Sequence, residues 1–241
     1  MEGLNMKQKI ILIVPAYNEE KTIASTIKQI ISSGYDYIVI NDGSTDGTAD
    51  ILEKSGFNHI NLLFNLGIGG AVQTGYKYAY SNGYDVAIQV DADGQHDISF
   101  VEKLIEPIVE KKANLTIGSC FINKSAKNHR SSLFRRLGIS FLSNTIFILS
   151  HKRIYDVTSG FRAADRSVMK YFSENYPQEY PEPVSNYELL RSSSFVIKEV
   201  PVTMNKRQGG KSSITARKTT YAAFNVLLSI LVLSLRRRKN D

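Results

Sequence analysis

Four times in the first ninety-odd residues, an apolar run rich in β-branched residues ends in a polar or glycine-rich turn, and a helical pattern follows. Lys9 to Val14 (KIILIV) closes on Pro15, Tyr37 to Ile40 on Asn41-Asp42-Gly43-Ser44, His59 to Phe64 on Asn65-Leu66-Gly67-Ile68-Gly69-Gly70, and Asp85 to Val90 on Asp91-Ala92-Asp93. Between these runs, apolar residues recur at helical spacing from Glu19 to Ser33, from Thr45 to about Ser55, from about Ile68 to Ser81 and from about Ile98 to Lys111, and a further strand is expected at Leu115 to Ile117. Strands covered on both faces and joined by helices make a parallel α/β sheet with right-handed crossovers. Ligands of such sheets bind beyond the carboxyl ends of the strands, so all four turns are expected to line one edge.

The second half is less regular. Phe134 to Leu149 looks helical and mostly apolar, with Arg135 and Arg136 near its start, and Phe195 to Val202 looks like a strand. Tyr221 to Leu235 is an uncharged apolar segment bracketed by Arg217-Lys218 and Arg236-Arg237-Arg238-Lys239. As a helix it would span roughly 22 Å, short of the ~30 Å hydrocarbon core of a bilayer, so it is expected to lie in the interface or to pair with another membrane segment. From Asn205 onward nine Lys or Arg stand against Asp241 alone, which leaves the first 204 residues about neutral within a net charge of +7. A basic tail on a neutral body suggests an anionic partner at one end, such as a membrane surface or phosphates. The charges flank an apolar segment and do not interleave with aromatics, which argues against nucleic acid. The expected organisation is one domain, 1–214, with a basic and apolar C-terminal helix, 215–241. The single cysteine, Cys120, rules out an intramolecular disulfide, and the N-terminus lacks a long apolar signal region, so a reducing, cytoplasmic setting is expected.

The chemistry concentrates in Asp91-Ala92-Asp93-Gly94-Gln95-His96-Asp97. Two carboxylates at i and i+2 just past a strand repel each other unless a cation sits between them, and a hard divalent ion partly coordinated by substrate phosphates is the usual solution. Asp91 and Asp93 are therefore expected to hold Mg²⁺ or Mn²⁺, with Gln95, His96 and Asp97 as further ligands or supporting hydrogen-bond partners; for Asp97 a helix cap competes with ligation. Asp46 or Thr45 is expected to cap the second helix, whereas Asp42, directly after an apolar strand, is placed to accept from a nucleobase N–H. Gly67, Gly69, Gly70 and Gly75 permit close backbone approach near a helix start, a common phosphate or base platform. No Gly-Lys-Ser/Thr follows them, so this is not a Walker loop.

Taken in order, VPAYNEE, NDGSTDGT, NLGIGGAVQTG, DADGQHD, TSGFRA and RQGGKSS resemble the signature set of the family 2 glycosyltransferases, and more narrowly the dolichyl-phosphate mannose synthase-like branch that loads sugars onto polyprenyl phosphates. The match runs from about Ile10 to Ile214. The resemblance implies a GT-A, Rossmann-like, mostly parallel sheet flanked by helices, and a nucleotide sugar as donor. It implies that Pro15, Ala16, Tyr17, Glu19 and Asp42 surround the nucleoside, with Gly67, Gly70 and Ala92 nearby, and that Asp91, Asp93 and Gln95 hold the metal and diphosphate. Arg207 would close over the diphosphate beside Lys211 and Ser212, while Ser159, Gly160, Phe161 and Arg162 would form part of the acceptor site; Asp93, Arg162 and Arg207 would carry the catalysis.

One departure bears on the acceptor. Many family 2 enzymes with hydroxyl acceptors carry an adjacent acidic pair that supplies a general base, whereas this chain reads YPEPVSNYELL, with Glu182 and Glu188 apart. A sugar hydroxyl needs help to lose its proton near neutral pH, but a monoalkyl phosphate is already mostly anionic. The expected reaction is inverting, metal-dependent transfer of one sugar from a nucleotide sugar, a UDP-sugar in the first instance, to undecaprenyl or another polyprenyl phosphate at the cytoplasmic membrane face, feeding a cell-envelope polysaccharide or glycan. Arg162 with Arg130, Arg135 or Arg136 would hold the acceptor phosphate. The alternative is a glycosyltransferase extending a saccharide, with Glu188 or Glu182 as base; a nucleotidyltransferase or a non-catalytic binding protein fits the motifs less well. The short C-terminal segment also suggests a small membrane-protein partner or self-association.

Overall fold

The first apolar run becomes β1 (Ile10–Ala16), buried on both faces from Ile11 onward, at the middle of a seven-stranded sheet. The computed structural model describes residues 8–122, 133–205 and 216–235, with side chains from 136 and 223 onward in the helices that open the second and third of these segments. β2 (Asp36–Asn41), β3 (His59–Asn61) and β4 (Val86–Gln89) run parallel to β1, in the order β3-β2-β1-β4. Their connections are α1 (Ile23–Ser33), α2 (Thr48–Lys54) and α3 (Gly67–Ser81), so the four turns do meet at one edge.

Helices α1, α2 and α4 begin three or four residues later than periodicity suggests. Residues 19–22 form a turn in which Glu19 O accepts from Thr22 N–H and Ile23 N–H, and α1 starts only at Ile23. Asp97 acts as a cap, accepting from Ser99 N–H at 3.0 Å at the head of a single 3-10 turn, Ile98–Phe100, that leads into α4 (Val101–Val109).

The larger difference lies beyond β4. β5 (Leu115–Ser119) does not pair with β4, because β6 (Arg162–Asp165) lies antiparallel between them, bonded to β4 on one side and β5 on the other. The TSGFRA stretch, expected to contribute to the acceptor site, thus gives its last two residues to the sheet. β7 (Ile197–Pro201) completes the order β3-β2-β1-β4-β6-β5-β7. α5 (Leu133–Ser150) forms over the stretch Phe134 to Leu149 expected to be helical, whereas α6 (Arg166–Glu174) and α7 (Pro181–Arg191) were not marked off by the sequence pattern.

Two apolar cores sandwich the sheet. One face packs Leu12, Val14, Ile23, Ile27, Val39, Ile88 and Leu104; the other packs Ile11, Ile13, Tyr76, Leu115, Phe172 and Leu189 with Ile139, Ile146, Val226 and Ile230. The last two belong to α8 (Ala216–Leu235), so the C-terminal helix is seated on α5 and α7 and shares the main core. No helix among the described residues is long and apolar enough to cross a membrane.

Candidate active site

At the carboxyl end of β1 the chain turns sharply at Asn18, whose φ of 55° is left-handed, a conformation asparagine tolerates better than most residues. Asn18 Oδ1 accepts from Thr45 N–H at 2.8 Å and Asp46 N–H at 3.3 Å, and Asn18 N–H donates to Ser44 Oγ at 3.0 Å. Glu19 N–H donates to Thr48 Oγ1, Glu20 N–H to Asp46 Oδ2, and Gly47 N–H to Glu20 Oε2. The first two motifs are therefore braced against each other mainly through backbone N–H groups. Asp46 also accepts from Thr48 N–H at 2.9 Å, but from one residue before the N-cap, which in α2 is Gly47 and offers no side chain, so neither Asp46 nor Thr45 caps the helix as expected. Asn18 and Glu20 carry this bracing, and neither was singled out from sequence.

Within the corner, Pro15 and Ala16 are buried and Tyr17 is 48% exposed, leaving a ring free at the rim. Glu19 is partly buried, its Oε2 accepting from the Thr22 hydroxyl at 2.8 Å. Asp42 is buried and accepts from Leu66 N–H at 2.7 Å, while Asn65 Nδ2 donates to Asp42 O at 3.1 Å. Burial raises the Asp42 pKa, against the lowering effect of the Leu66 and Gly67 N–H groups. Part of its accepting capacity thus holds the loop that follows β3. Packing accounts for glycine at three positions of α3: a Cβ on Gly69 would lie 2.3 Å from Pro177 O, on Gly70 2.5 Å from Leu66 Cβ, and on Gly75 2.2 Å from Ile13 Cγ2. Only Gly67, at φ 79°, needs glycine for its backbone.

Beyond β4, Asp91 has a side chain 41% exposed, whereas Asp93 is buried with Oδ1 accepting from Gln95 N–H at 3.0 Å. His96 lies behind Asp91, 3% exposed and stacked on Phe161 at 4.7 Å between ring centroids. Asp91 N–H donates to His96 Nδ1 at 2.9 Å, which puts the imidazole proton on Nε2, 3.6 Å from Asp91 Oδ2. Burial pulls the His96 pKa down to about 4, outweighing the opposing charge of Asp93, so the ring is neutral near pH 7. Ala92 is buried, its carbonyl accepting from the Thr26 hydroxyl.

The two carboxylates suit a hard divalent cation. Among the described residues no three His, Cys, Asp or Glu side chains converge, so a cation held by Asp91 and Asp93, with Gln95 alongside, would take its remaining oxygens from substrate and water. The exposure of Asp91 toward the open edge fits that arrangement.

The loop before β6 comes up against Asp91. A Cβ on Gly160 would lie 3.2 Å from Asp91 Oδ1 and 3.1 Å from Gln89 Nε2, so no larger residue fits without displacement. Ser159 is buried with its Oγ unpartnered. Phe161 and Arg162, expected to touch the acceptor, both have 0% exposure. The reason is β6, an interior strand that Arg162 opens and that Phe161 immediately precedes, its carbonyl accepting from Gly118 N–H. Arg162 does not pair with Asp156 or Asp165; its Nη1 donates to Ser185 Oγ at 3.0 Å and its Nη2 to Ser159 O at 3.1 Å. Ser185 Oγ in turn donates to Glu182 O, which ties the guanidinium to the first turn of α7.

Glu182 is the residue that sequence spacing left isolated, and the fold brings it to the site. Its Oε1 stands 3.5 Å from Gln89 Nε2, and Gln89 Oε1 lies 3.4 Å from the Tyr176 hydroxyl. Burial raises the Glu182 pKa, Arg162 lowers it, and Asp91 is near enough to raise it further. The signal for Gln89 was a lone polar residue inside the apolar run VAIQV. Glu182 was named only as a candidate base, and its place beside Gln89 had no sequence signal, since the two are ninety-three residues apart.

Arg136 is exposed in the first turn of α5. Arg135 belongs to the same helix, but its side chain lies outside the described residues, as do Arg130, Arg207, Lys211 and Ser212.

Residues 11–172 match the family model Glycosyl transferase family 2. A UDP-N-acetylglucosamine–dolichyl-phosphate N-acetylglucosaminyltransferase of Methanococcus voltae is 34% identical over 82% of this chain and 86% of its own. A polyprenol monophosphomannose synthase of Mycolicibacterium smegmatis is 28% identical over 91% of this chain and 86% of its own. Among solved structures, glucosyl-3-phosphoglycerate synthase of Mycobacterium tuberculosis, in complex with Mn²⁺, UDP-glucose and phosphoglyceric acid, superposes with a TM-score of 0.68 over 95% of this chain and 80% of that one, at 19% identity.

Proposed function

Since the chain belongs to glycosyl transferase family 2, we propose that this glycosyltransferase moves one sugar from a nucleotide sugar, a UDP-sugar in the first instance, to a polyprenyl phosphate at the cytoplasmic face of a membrane. The relatives named above act on dolichyl or polyprenol phosphate, and they match over more than four-fifths of both chains. The observation that carries the acceptor is α5. Its first turn holds Arg135 and Arg136, and along its length Leu137, Phe141 and Ile148 are 60%, 56% and 69% exposed. Basic groups at one end of an apolar stripe suit an acceptor with a phosphate head and a hydrocarbon tail. Helix α8 adds a second such stripe, Phe224, Leu228, Leu231, Val232 and Leu235.

In this reading the braced turns after β1 and β2 hold the nucleoside, with Tyr17 at the rim and Asp42 within. Asp91 and Asp93, with Gln95, would hold Mg²⁺ or Mn²⁺, which supplies positive charge for the departing diphosphate. Neutral His96 holds the Asp91 backbone and directs Nε2–H toward its carboxylate. Arg207, with Lys211 and Ser212, completes the charge on the donor side. An acceptor phosphate needs no proton removed, so alignment and electrostatics are the protein's main task, and in-line attack at the anomeric carbon inverts it. The place of Glu182 beside Asp91 is what favours the second reading, a hydroxyl acceptor with Glu182 as base.

The test is nucleotide release from UDP- and GDP-sugars with Mg²⁺ or Mn²⁺, with and without undecaprenyl phosphate in detergent, together with analysis of the lipid fraction. Lipid-dependent release from one donor, yielding a sugar-phosphate lipid, is expected; donor turnover that ignores the lipid but responds to a saccharide would favour the second reading.

A further inference from the structure

Around Gln89 the fold collects polar groups that the transfer mechanism above does not use. Gln89, Tyr176 and Arg162 are buried at 1%, 5% and 0% exposure, while Glu182, which they surround, keeps part of its surface open. Among the described residues Arg162 makes no salt bridge, and its Nε has no hydrogen-bond partner. The cation therefore supports the negative charge of Glu182 from a distance without its fork occupying both carboxylate oxygens. Gln89 Nε2 stands at Oε1 at the outer limit of a hydrogen bond, so Glu182 is held in place with accepting capacity to spare.

What such a group can meet is limited by charge. An ionised carboxylate only accepts, and this one lies within electrostatic reach of Asp91, two residues beyond Gln89 at the end of the same strand. At Asp91 a bound cation would carry the charge of the donor diphosphate, but a phosphate brought against Glu182 itself would be repelled by its carboxylate. The donor component that is uncharged, rich in O–H groups and bonded directly to the diphosphate is the sugar. We infer that Glu182 reads the transferred sugar, its carboxylate accepting hydrogen bonds from sugar hydroxyls while Gln89 and the buried Arg162 keep it in position. The inference rests on the glycosyl-transfer reading and gives Glu182 a role other than that of a base. A hydroxyl whose orientation matches this carboxylate is selected, and an epimer or deoxy analogue leaves it desolvated and unpaired.

The experiment uses the full chain in detergent with Glu182→Gln and Glu182→Asp, each first checked for an unchanged thermal midpoint. Binding of the preferred nucleotide sugar and of its nucleoside diphosphate is measured by calorimetry, and kcat/KM is measured across the donor panel and the 3-, 4- and 6-deoxy forms of the preferred donor. Expected is a loss of about tenfold or more for the preferred donor in Glu182→Gln, with nucleoside diphosphate affinity unchanged and with wild type and variant equal on one deoxy donor. Equal losses on every donor and deoxy form would assign Glu182 to base or scaffold work and overturn the inference, as would no loss at all. If the wild type fails to transfer to polyprenyl phosphate, the acceptor reading falls, and the difference between nucleotide sugar and nucleoside diphosphate binding still decides the role of Glu182.

Discussion

Asp91 takes its orientation from a histidine that has to stay neutral. The native His96 pKa of about 4 lies below the ordinary value of 6.5, so between those values the unfolded chain binds more protons than the folded one. The resulting stability is complete above pH 6.5 and is lost as pH falls toward 4, on the order of 3 kcal/mol across that window. For metal-free protein, urea midpoints at pH 7.5 and 5.0 are expected to fall more steeply in wild type than in His96→Gln, and identical slopes would refute this. The Asp91-Ala92-Asp93 charge was legible from sequence because it breaks abruptly from an apolar run. The burial of Phe161 and Arg162 was not, because it depends on a strand whose partners lie far away in the chain.

Among the elements, α3 begins within a residue of where it was expected, and close packing gives several of its glycines a second reason to be glycine besides approach of a ligand. A methyl group at Gly69 would meet the backbone oxygens of Pro177 and Gln178 at 2.3 and 2.4 Å, and backbone cannot yield as a side chain can. Gly69→Ala is therefore expected to cost about 1–3 kcal/mol in chemical denaturation. Because the displaced segment leads into α7, the variant should also weaken donor-sugar discrimination more than nucleoside diphosphate binding. A variant with wild-type stability would show that this contact is not tight in solution. Periodicity could find α3, but a contact between an α3 glycine and residues 177–178 has no local trace.

For the whole molecule, α5 and α8 place two exposed apolar stripes on neighbouring, mutually packed helices, while their opposite faces hold Ile139, Ile146, Val226 and Ile230 in the core. Changing Phe141, Ile148, Leu228 and Leu231 together to Ser is expected to lower binding to anionic liposomes severalfold in co-sedimentation, with little change in thermal midpoint because these side chains face outward; unchanged binding would exclude this face as the membrane contact. The parallel half of the sheet was readable because each strand stands next to its own turn and helix. In the other half β5 and β7 were readable as strands but their order was not, because β6 enters between β4 and β5 through pairing alone. That pairing has a kinetic side. On the ribosome β3, β2, β1 and β4 are made first and can assemble through short, local crossovers, but the outer edge of β4 stays bare until Arg162–Asp165 have emerged. For that interval a nascent chain presents an apolar, unpaired strand edge to its surroundings, so β4 is where chaperones would have most to shield and where a crowded cell would first see this protein aggregate.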